Sequence, residues 1–151
     1  MTDVLKLDAQ LCFSLYAASR AMTAAYGPLL APLGLTYPQY LVMLVLWEAD
    51  DVSVKFVGER LELDSGTLTP LLKKLEGQGL VLRTRDAGDA RVVRVTLTTA
   101  GRALKKKAQG VPPQLLCQTG LDLPGLARLR KAVTTLTRTV REANARRDHE
   151  S

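Results

Sequence analysis

The residues in this chain that could do chemistry fall into two groups. The first is a pair of thiols, Cys12 and Cys117, 105 positions apart in a sequence of 151 residues. A lone cysteine behaves by default as a small buried hydrophobe; two of them in a reducing compartment are either bystanders of that kind or a redox pair. The single histidine is His149, so no Cys/His spacing fits zinc, and neither a metal nor a cofactor is expected. The second group is polar and cationic. In the stretch after Asp64, Gly66, Thr69, Pro70, Lys73 and Lys74 fall on one side by 100° steps, opposite Leu68, Leu71, Leu72 and Leu75. That face offers hydroxyl and ammonium groups with no carboxylate at its centre, a composition suited to phosphates and base edges. A solvated helix surface is the bland alternative for this helix taken alone.

The net charge of +6 has an uneven distribution. Between Arg83 and Lys107 stand eight Lys/Arg against Asp86 and Asp89, while the rest of the chain holds thirteen basic and thirteen acidic residues. Confining the whole excess to one stretch points to a polyanion as partner. The longest nearly apolar run, Tyr40–Trp47, is too short to cross a bilayer, and the N-terminus lacks a basic region followed by an apolar core. A cytoplasmic protein without a membrane partner is the expectation.

These groups need elements to hold them. Asp8 can cap a long helix to about Ala31, with Leu11, Leu15, Ala18, Met22, Ala25 and Leu29 as a seam and Pro28 and Pro32 kinking and ending it. Thr36-Tyr37-Pro38-Gln39 reads as a capping box opening a largely apolar second helix to Ala49. Ser53 caps a short third helix to about Leu61, and Asp64 or Ser65 caps the fourth. Pro70 conflicts with that start: either the helix begins near Leu68, or its first turn is irregular.

Two β runs follow, Leu80–Arg85 and Val92–Leu97, around the turn Asp86–Ala90 with Gly88 at its bend. Period two with one basic face describes a half-buried ribbon, with Arg83 and Arg85 as candidate DNA-binding residues on it. Arg91 near the tip could enter a minor groove with Asp89 holding its guanidinium; a local surface ion pair of little consequence is the other reading. Thr98 or Thr99 caps a helix bearing Lys105-Lys106-Lys107, Pro112-Pro113 start a segment holding Cys117, and Asp122 opens a final helix. Its apolar positions Leu126, Leu129, Val133, Leu136, Val140 and Ala143 keep a 3-4 rhythm, and the tail from Asn144 is expected to fray. The expected fold is mainly α with a small β-hairpin wing: a winged helix-turn-helix over about 37–109, flanked by dimerisation helices at about 5–36 and 110–147 in a single domain.

The element order, with Leu63-Asp64-Ser65-Gly66-Thr67-Leu68-Thr69-Pro70-Leu71-Leu72-Lys73-Lys74-Leu75-Glu76 and Asp89-Ala90-Arg91, resembles the MarR family of dimeric repressors. Leu7-Asp8-Ala9-Gln10-Leu11-Cys12-Phe13-Ser14-Leu15-Tyr16 resembles that family's organic-hydroperoxide-sensing branch. The resemblance implies that Cys12 is the peroxide sensor, that Tyr26 and Tyr37 hydrogen-bond to it, and that Cys117 is the distal cysteine of a two-cysteine subgroup. It also implies DNA contacts from Ser65, Gly66, Thr67, Thr69, Lys73, Lys74 and Arg91. Phe56 departs from the acidic residue common in the third helix, and Lys74 from a common arginine, which weakens any bidentate contact there.

Spacing adds a constraint. Cys12 and Tyr26 lie 14 residues apart, about 21 Å along one straight helix at about 1.5 Å per residue. If they meet, they meet across a dimer. The partners that the resemblance implies are pseudo-palindromic double-stranded operator DNA, an organic hydroperoxide as inducer, and a second copy of the chain. In the expected mechanism Cys12, about one turn into its helix, becomes a sulfenic acid, and a disulfide with Cys117 releases the DNA. A regulator released by a small phenolic ligand, with the cysteines incidental, is one alternative. A thiol peroxidase that turns over is the other, though no Arg/Glu pairing accompanies Cys12.

Overall fold

The computed structural model describes residues 3–149, which form seven α-helices and three strands. They fall into two compact units, Met1–Val111 and Pro112–Ser151.

The first unit opens with a short 3-10 turn, Leu7–Ala9, followed by α1, Leu11–Leu30. Asp8 lies inside that turn and does not cap the helix. The residue preceding α1 is Gln10, whose side chain turns back to donate to the carbonyls of Val4 and Lys6 and leaves the helix with no side-chain cap. Pro28 sits inside α1, and a second 3-10 turn carrying Pro32 follows at Ala31–Leu33. Gly34, at φ +68°, makes the left-handed exit that a side chain would resist. In α2, Tyr37–Glu48, the capping box is complete: Thr36 accepts from the Gln39 N–H and Gln39 accepts from the Thr36 N–H. Tyr40, Val42, Met43, Val45 and Leu46 are all buried, making α2 the spine of the core.

After α2 comes a strand the sequence did not announce. β1, Val52–Ser53, pairs antiparallel with β3, so the hairpin is one part of a three-stranded sheet in the order β1-β3-β2. Two residues are too few to show alternation. Ser53 then caps α3, Val54–Leu61, and Glu62 at φ +57° turns the chain. Gly58 makes this turn possible, since a Cβ there would lie 2.9 Å from the Leu63 carbonyl oxygen, which the tight α3–α4 connection presses against it.

The fourth helix, α4, runs Ser65–Gly77 with Asp64 as its cap and with Pro70 inside it. Neither sequence expectation for Pro70 holds: the helix starts before the proline and continues through it. A proline at the sixth helical position removes one bond, to the Gly66 carbonyl, and crowds a carbonyl in the exposed first turn, with no preceding turn to displace. Gly79, at φ +74°, ends the helix, with its N–H on the Glu76 carbonyl and the Leu80 N–H on that of Leu75.

β2, Val81–Arg85, and β3, Val93–Leu97, form the wing. Their faces are not divided as expected. Register places Val81 opposite Leu97, Arg83 opposite Val95 and Arg85 opposite Val93. Arg83 and Arg85 thus share the side of the buried Val81, Val95 and Leu97, while Leu82, 52% exposed, shares the outer side with Thr84, Arg94 and Thr96. No single basic face exists. α5, Thr99–Ala108, is capped by Thr98.

The second unit carries most of α6, Val111–Thr119, which contains Cys117, and all of α7, Leu123–His149. Gly120 at φ +69° separates them, and the Asp122 carboxylate accepts from the Gly125 N–H at the head of α7. The expected fraying from Asn144 is not observed; the helix holds through His149, and residues 150 and 151 lie outside the described range.

Candidate functional site

The exposed face of α4 is set by its cap and its buried stripe. Asp64 Oδ1 accepts from the Thr67 N–H at 2.7 Å, and Thr67, through its backbone and then its side chain, holds the Asp64 carboxyl below the usual carboxylate range. Leu68, Leu72 and Leu75 are buried against the core, α2 among the elements α4 packs on. Ser65, Gly66, Thr67, Pro70, Lys73 and Lys74 are exposed and Thr69 is half-buried, as the 100° projection requires.

The wing tip is built around two aspartates. Asp86 Oδ2 accepts from the N–H groups of Gly88 and Asp89, and the Asp86 N–H donates to the Val92 carbonyl at 2.8 Å. Gly88 needs no left-handed backbone here; the bend is made by the Asp86 side chain. Arg91 donates from Nε and Nη2 to the two carboxylate oxygens of Asp89, both at 3.1 Å, and its backbone N–H reaches Oδ1 at 3.0 Å. The pairing keeps the Asp89 carboxyl below its ordinary range and ionised. Arg91 remains 91% exposed, a planar cation on a short, pre-oriented stalk.

The other wing arginines are engaged elsewhere. Arg83, 24% exposed, donates from Nη2 to Glu76 Oε2 at 2.9 Å, from Nε to the same oxygen at 3.1 Å, and from its backbone N–H to Oε1 at 3.3 Å. Arg85 donates to the Ala90 carbonyl at 2.7 Å, inside the wing loop. Arg94 bonds to Asp51 Oδ1 at 2.8 Å and to the Asp51 carbonyl, and stands 3.6 Å from Asp86. Arg102 reaches Asp50 at 3.4 Å. The local excess of charge counted in the sequence is therefore partly cancelled in space by Glu76, Asp50 and Asp51, which lie outside the counted stretch. A cleft of about 470 Å³ opens between α4 and the wing, lined by Thr69, Leu72, Arg83, Arg91 and Val93 with Lys55 of α3.

Both thiols are free and exposed. Cys12 is the second residue of α1, inside the first turn and not a full turn in, on a helix end without a side-chain cap. Cys117 lies on α6 in the second unit. Among the described residues no group of three or more His, Cys, Asp or Glu could hold a metal ion.

Tyr26 and Tyr37 do come together, with ring centroids 4.6 Å apart. Tyr40, which the sequence reading did not single out, joins them at 5.6 Å from Tyr26 and touches Trp47 edge-on at 6.4 Å. Its signal was present: Tyr37 and Tyr40 are three apart on one helix and share a face. Burial first, then the neighbouring Tyr37 and Tyr40, pushes Tyr26 up to about 12; burial raises Tyr37, and burial and then Tyr37 raise Tyr40. All three phenols keep their protons, and with them a donor, through the physiological range.

A capped helix bearing hydroxyls and lysines, preceded by a tight turn and followed by a clamped wing with an arginine at its tip, defines a winged helix-turn-helix of the kind that reads DNA. The family model described as Transcriptional regulator SarA/Rot matches residues 24–108, more than half of the chain. The organic hydroperoxide resistance transcriptional regulator of Bacillus subtilis is 49% identical over 142 residues, 94% of this chain and 97% of the relative. Reduced AbfR bound to DNA superposes with a TM-score of 0.77 at 34% identity, covering 91% of this chain and 94% of the other. The disulfide-formed structure of AbfR, a Staphylococcus epidermidis protein, gives 0.61 at 35% identity and 91% coverage of each. A mutant of MarR from E. coli, complexed with operator DNA, gives 0.78 at 25% identity, covering 89% of this chain and 99% of the other. The chain belongs to the MarR family of transcriptional regulators, in the branch that contains the B. subtilis organic hydroperoxide resistance regulator.

Proposed function

We propose that this chain is a homodimeric, redox-sensing repressor that leaves its operator when an organic hydroperoxide oxidises Cys12. The observation that carries this reading is Cys12 itself: exposed, free, and in the first turn of an uncapped helix. Similarity to a hydroperoxide resistance regulator along nearly the whole chain supports it, as does a relative solved both reduced on DNA and disulfide-formed.

In the proposed chemistry the Cys12 thiolate attacks the outer peroxide oxygen. An S–O bond forms, the O–O bond breaks, and the alcohol departs with a proton; sulfur is oxidised to a sulfenic acid and the peroxide is reduced. The thiol of Cys117 from the second copy then attacks that sulfur, forming an S–S bond; the S–O bond breaks and its hydroxyl leaves as water with the thiol's proton. Leu11 and Phe13 beside the thiol, both exposed, suit an alkyl or lipid peroxide better than hydrogen peroxide. Protonated Tyr26 and Tyr37 act as donors to the sulfur; Tyr26, 14 residues from Cys12 on the same helix, would do so across the dimer.

In the DNA reading, Ser65, Gly66, Thr67, Thr69, Pro70, Lys73 and Lys74 present the major-groove face, while Arg91, held by Asp89, enters the adjacent minor groove. Arg85 supports the wing loop. Two such lobes must lie about 34 Å apart to match successive major grooves. A disulfide needs Cα atoms within about 7 Å, and closing it would move the lobes off that spacing.

Gel shift on the promoter region upstream of this chain's own gene tests the proposal. Cumene hydroperoxide should abolish the shift and dithiothreitol restore it. Non-reducing electrophoresis should show a covalent dimer that Cys117→Ser cannot form. A second reading is favoured by the cleft beside α4, whose apolar walls, Lys55 and Arg91 suit a phenolic or carboxylate ligand. Release by such a ligand, undiminished when either cysteine is replaced by serine, would select it. Steady-state peroxide consumption with a dithiol would reveal a peroxidase.

A further inference from the structure

In a winged reader the helix and the wing tip address different grooves, so their separation must be fixed before DNA arrives. In this chain α4 packs on β2 through the core, and one carboxylate adds a polar tie between them. Glu76 is in the last turn of α4, and three donors of a single wing residue converge on it: the Arg83 backbone N–H, Nε and Nη2. Arg83 is the central residue of β2, paired with Val95 of β3, so the bond locks the sheet and not a loose end. The Arg83 and Glu76 side chains are about one-quarter and one-third exposed, and three converging donors, not burial, set the geometry of the pair. Thr69 of α4, Arg83 and Arg91 line the same cleft, so the clamp, the reading face and the wing tip border one gap.

We propose that Glu76 is a positioning residue for DNA recognition: through Arg83 it sets the distance from the α4 face to Arg91, and it touches no DNA itself. Arg83, whose place in a basic stretch suggested direct contact with phosphate, serves as the other half of this clamp. The inference rests on the reading in which Arg91 contacts the minor groove. It adds that the reach of Arg91 is set by α4 and not by the wing alone.

The test is a double-mutant cycle with Glu76→Gln and Arg91→Ala in the reduced full-length dimer. Affinity is measured on the same promoter duplex, with thermal unfolding as a check on folding. Glu76→Gln keeps shape and one acceptor but loses the charge. It should weaken binding roughly tenfold, within the range for coupled residues of one network, and should cost almost nothing further once Arg91 is alanine. Hydroxyl-radical protection of the minor groove at the wing position should fade in Glu76→Gln, while protection of purine N7 in the major groove persists. Equal penalties in both backgrounds, or no penalty in either, overturn the role of Glu76 and leave the wing contact standing. Arg91→Ala binding as tightly as the parent chain overturns both that reading and this inference.

Discussion

The helix-and-wing region and the two long terminal helices are built by opposite rules. From α3 to α5 several charged side chains have a partner within the same chain: Asp64 with the Thr67 N–H, Arg83 with Glu76, Arg91 with Asp89, Arg94 with Asp51. The helix and wing sit on a core of fully buried Leu68, Leu72, Leu75, Val81 and Val95. α1 and α7 instead leave large apolar side chains in water. Leu11, Phe13, Tyr16 and Met22 are exposed on α1, and Leu129, Val133 and Val140 on α7. Apolar rows of that kind mark surfaces that another chain covers. Within one chain the helix and wing are thus supported from inside, while α1 and α7 keep apolar rows uncovered.

The comparison breaks most visibly at Cys12. Cys12→Ser should bind promoter DNA like the parent chain and lose all release by cumene hydroperoxide, read by gel shift across a peroxide titration. Peroxide-driven release persisting in that variant would sink the sensing role while leaving the reading region untouched. Next in size is the seam of α7. Val133→Glu places a charge in an exposed apolar row, and sedimentation should show the mass halved. Operator affinity should then fall on the order of a hundredfold, because the second half-site is no longer bound by a linked lobe. A variant that remains dimeric would remove α7 from the interface.

The reading region yields to a different kind of change. A Cβ on Gly101 would lie 2.1 Å from the Leu80 carbonyl oxygen, in backbone that cannot retreat because the Thr98 N–H donates to that same oxygen. The Gly101 carbonyl, in turn, accepts from Trp47 Nε1 at 2.9 Å. Gly101→Ala should cost about 3 kcal/mol, the upper part of the range for overpacking, measured by urea unfolding. A cost under about 1 kcal/mol would mean that α5 and the wing root are less rigidly joined than the contact implies.

The contrast also explains how much could be read from the sequence. Features fixed by a few neighbouring residues were legible. The capping box at Thr36, the caps at Ser53 and Asp64, and the buried stripe of α4 all depend on residues within four positions of each other. Features fixed by distant partners were not. The basic stretch after Arg83 looked uncompensated because Asp51 lies 43 positions before Arg94 and Asp50 52 before Arg102. β1 escaped notice because only its pairing with β3 makes it a strand. Pro70 misled for a local reason: its penalty depends on which carbonyl it crowds, and here that carbonyl belongs to the first turn. Asp8 misled because it lies inside a 3-10 turn, which leaves Gln10 as the residue before the helix.

The smallest effect probes the contact of α1 with the core helix, where Tyr26 of α1 meets Tyr37 and Tyr40 of α2. Tyr26 titrates in the folded chain at about 12, against 10.0 for the free side chain. A folded-state value raised above the unfolded one means that the folded chain holds the proton longer. Its contribution to stability is complete below pH 10 and is lost as pH rises from there towards 12. Unfolding free energy should be insensitive to this group between pH 6 and 9 and should then decline. Tyr26→Phe should flatten the alkaline decline, in part only, because Tyr37 and Tyr40 are shifted in the same direction. The same variant keeps the ring stacking and removes one donor, so it separates two roles of the residue. Unchanged stability at neutral pH with slower peroxide-driven release would assign the hydroxyl to the thiol. Unchanged release with a flattened alkaline limb would leave Tyr26 as packing between α1 and α2, and the sensing region would then rest on Tyr37 and the helix end.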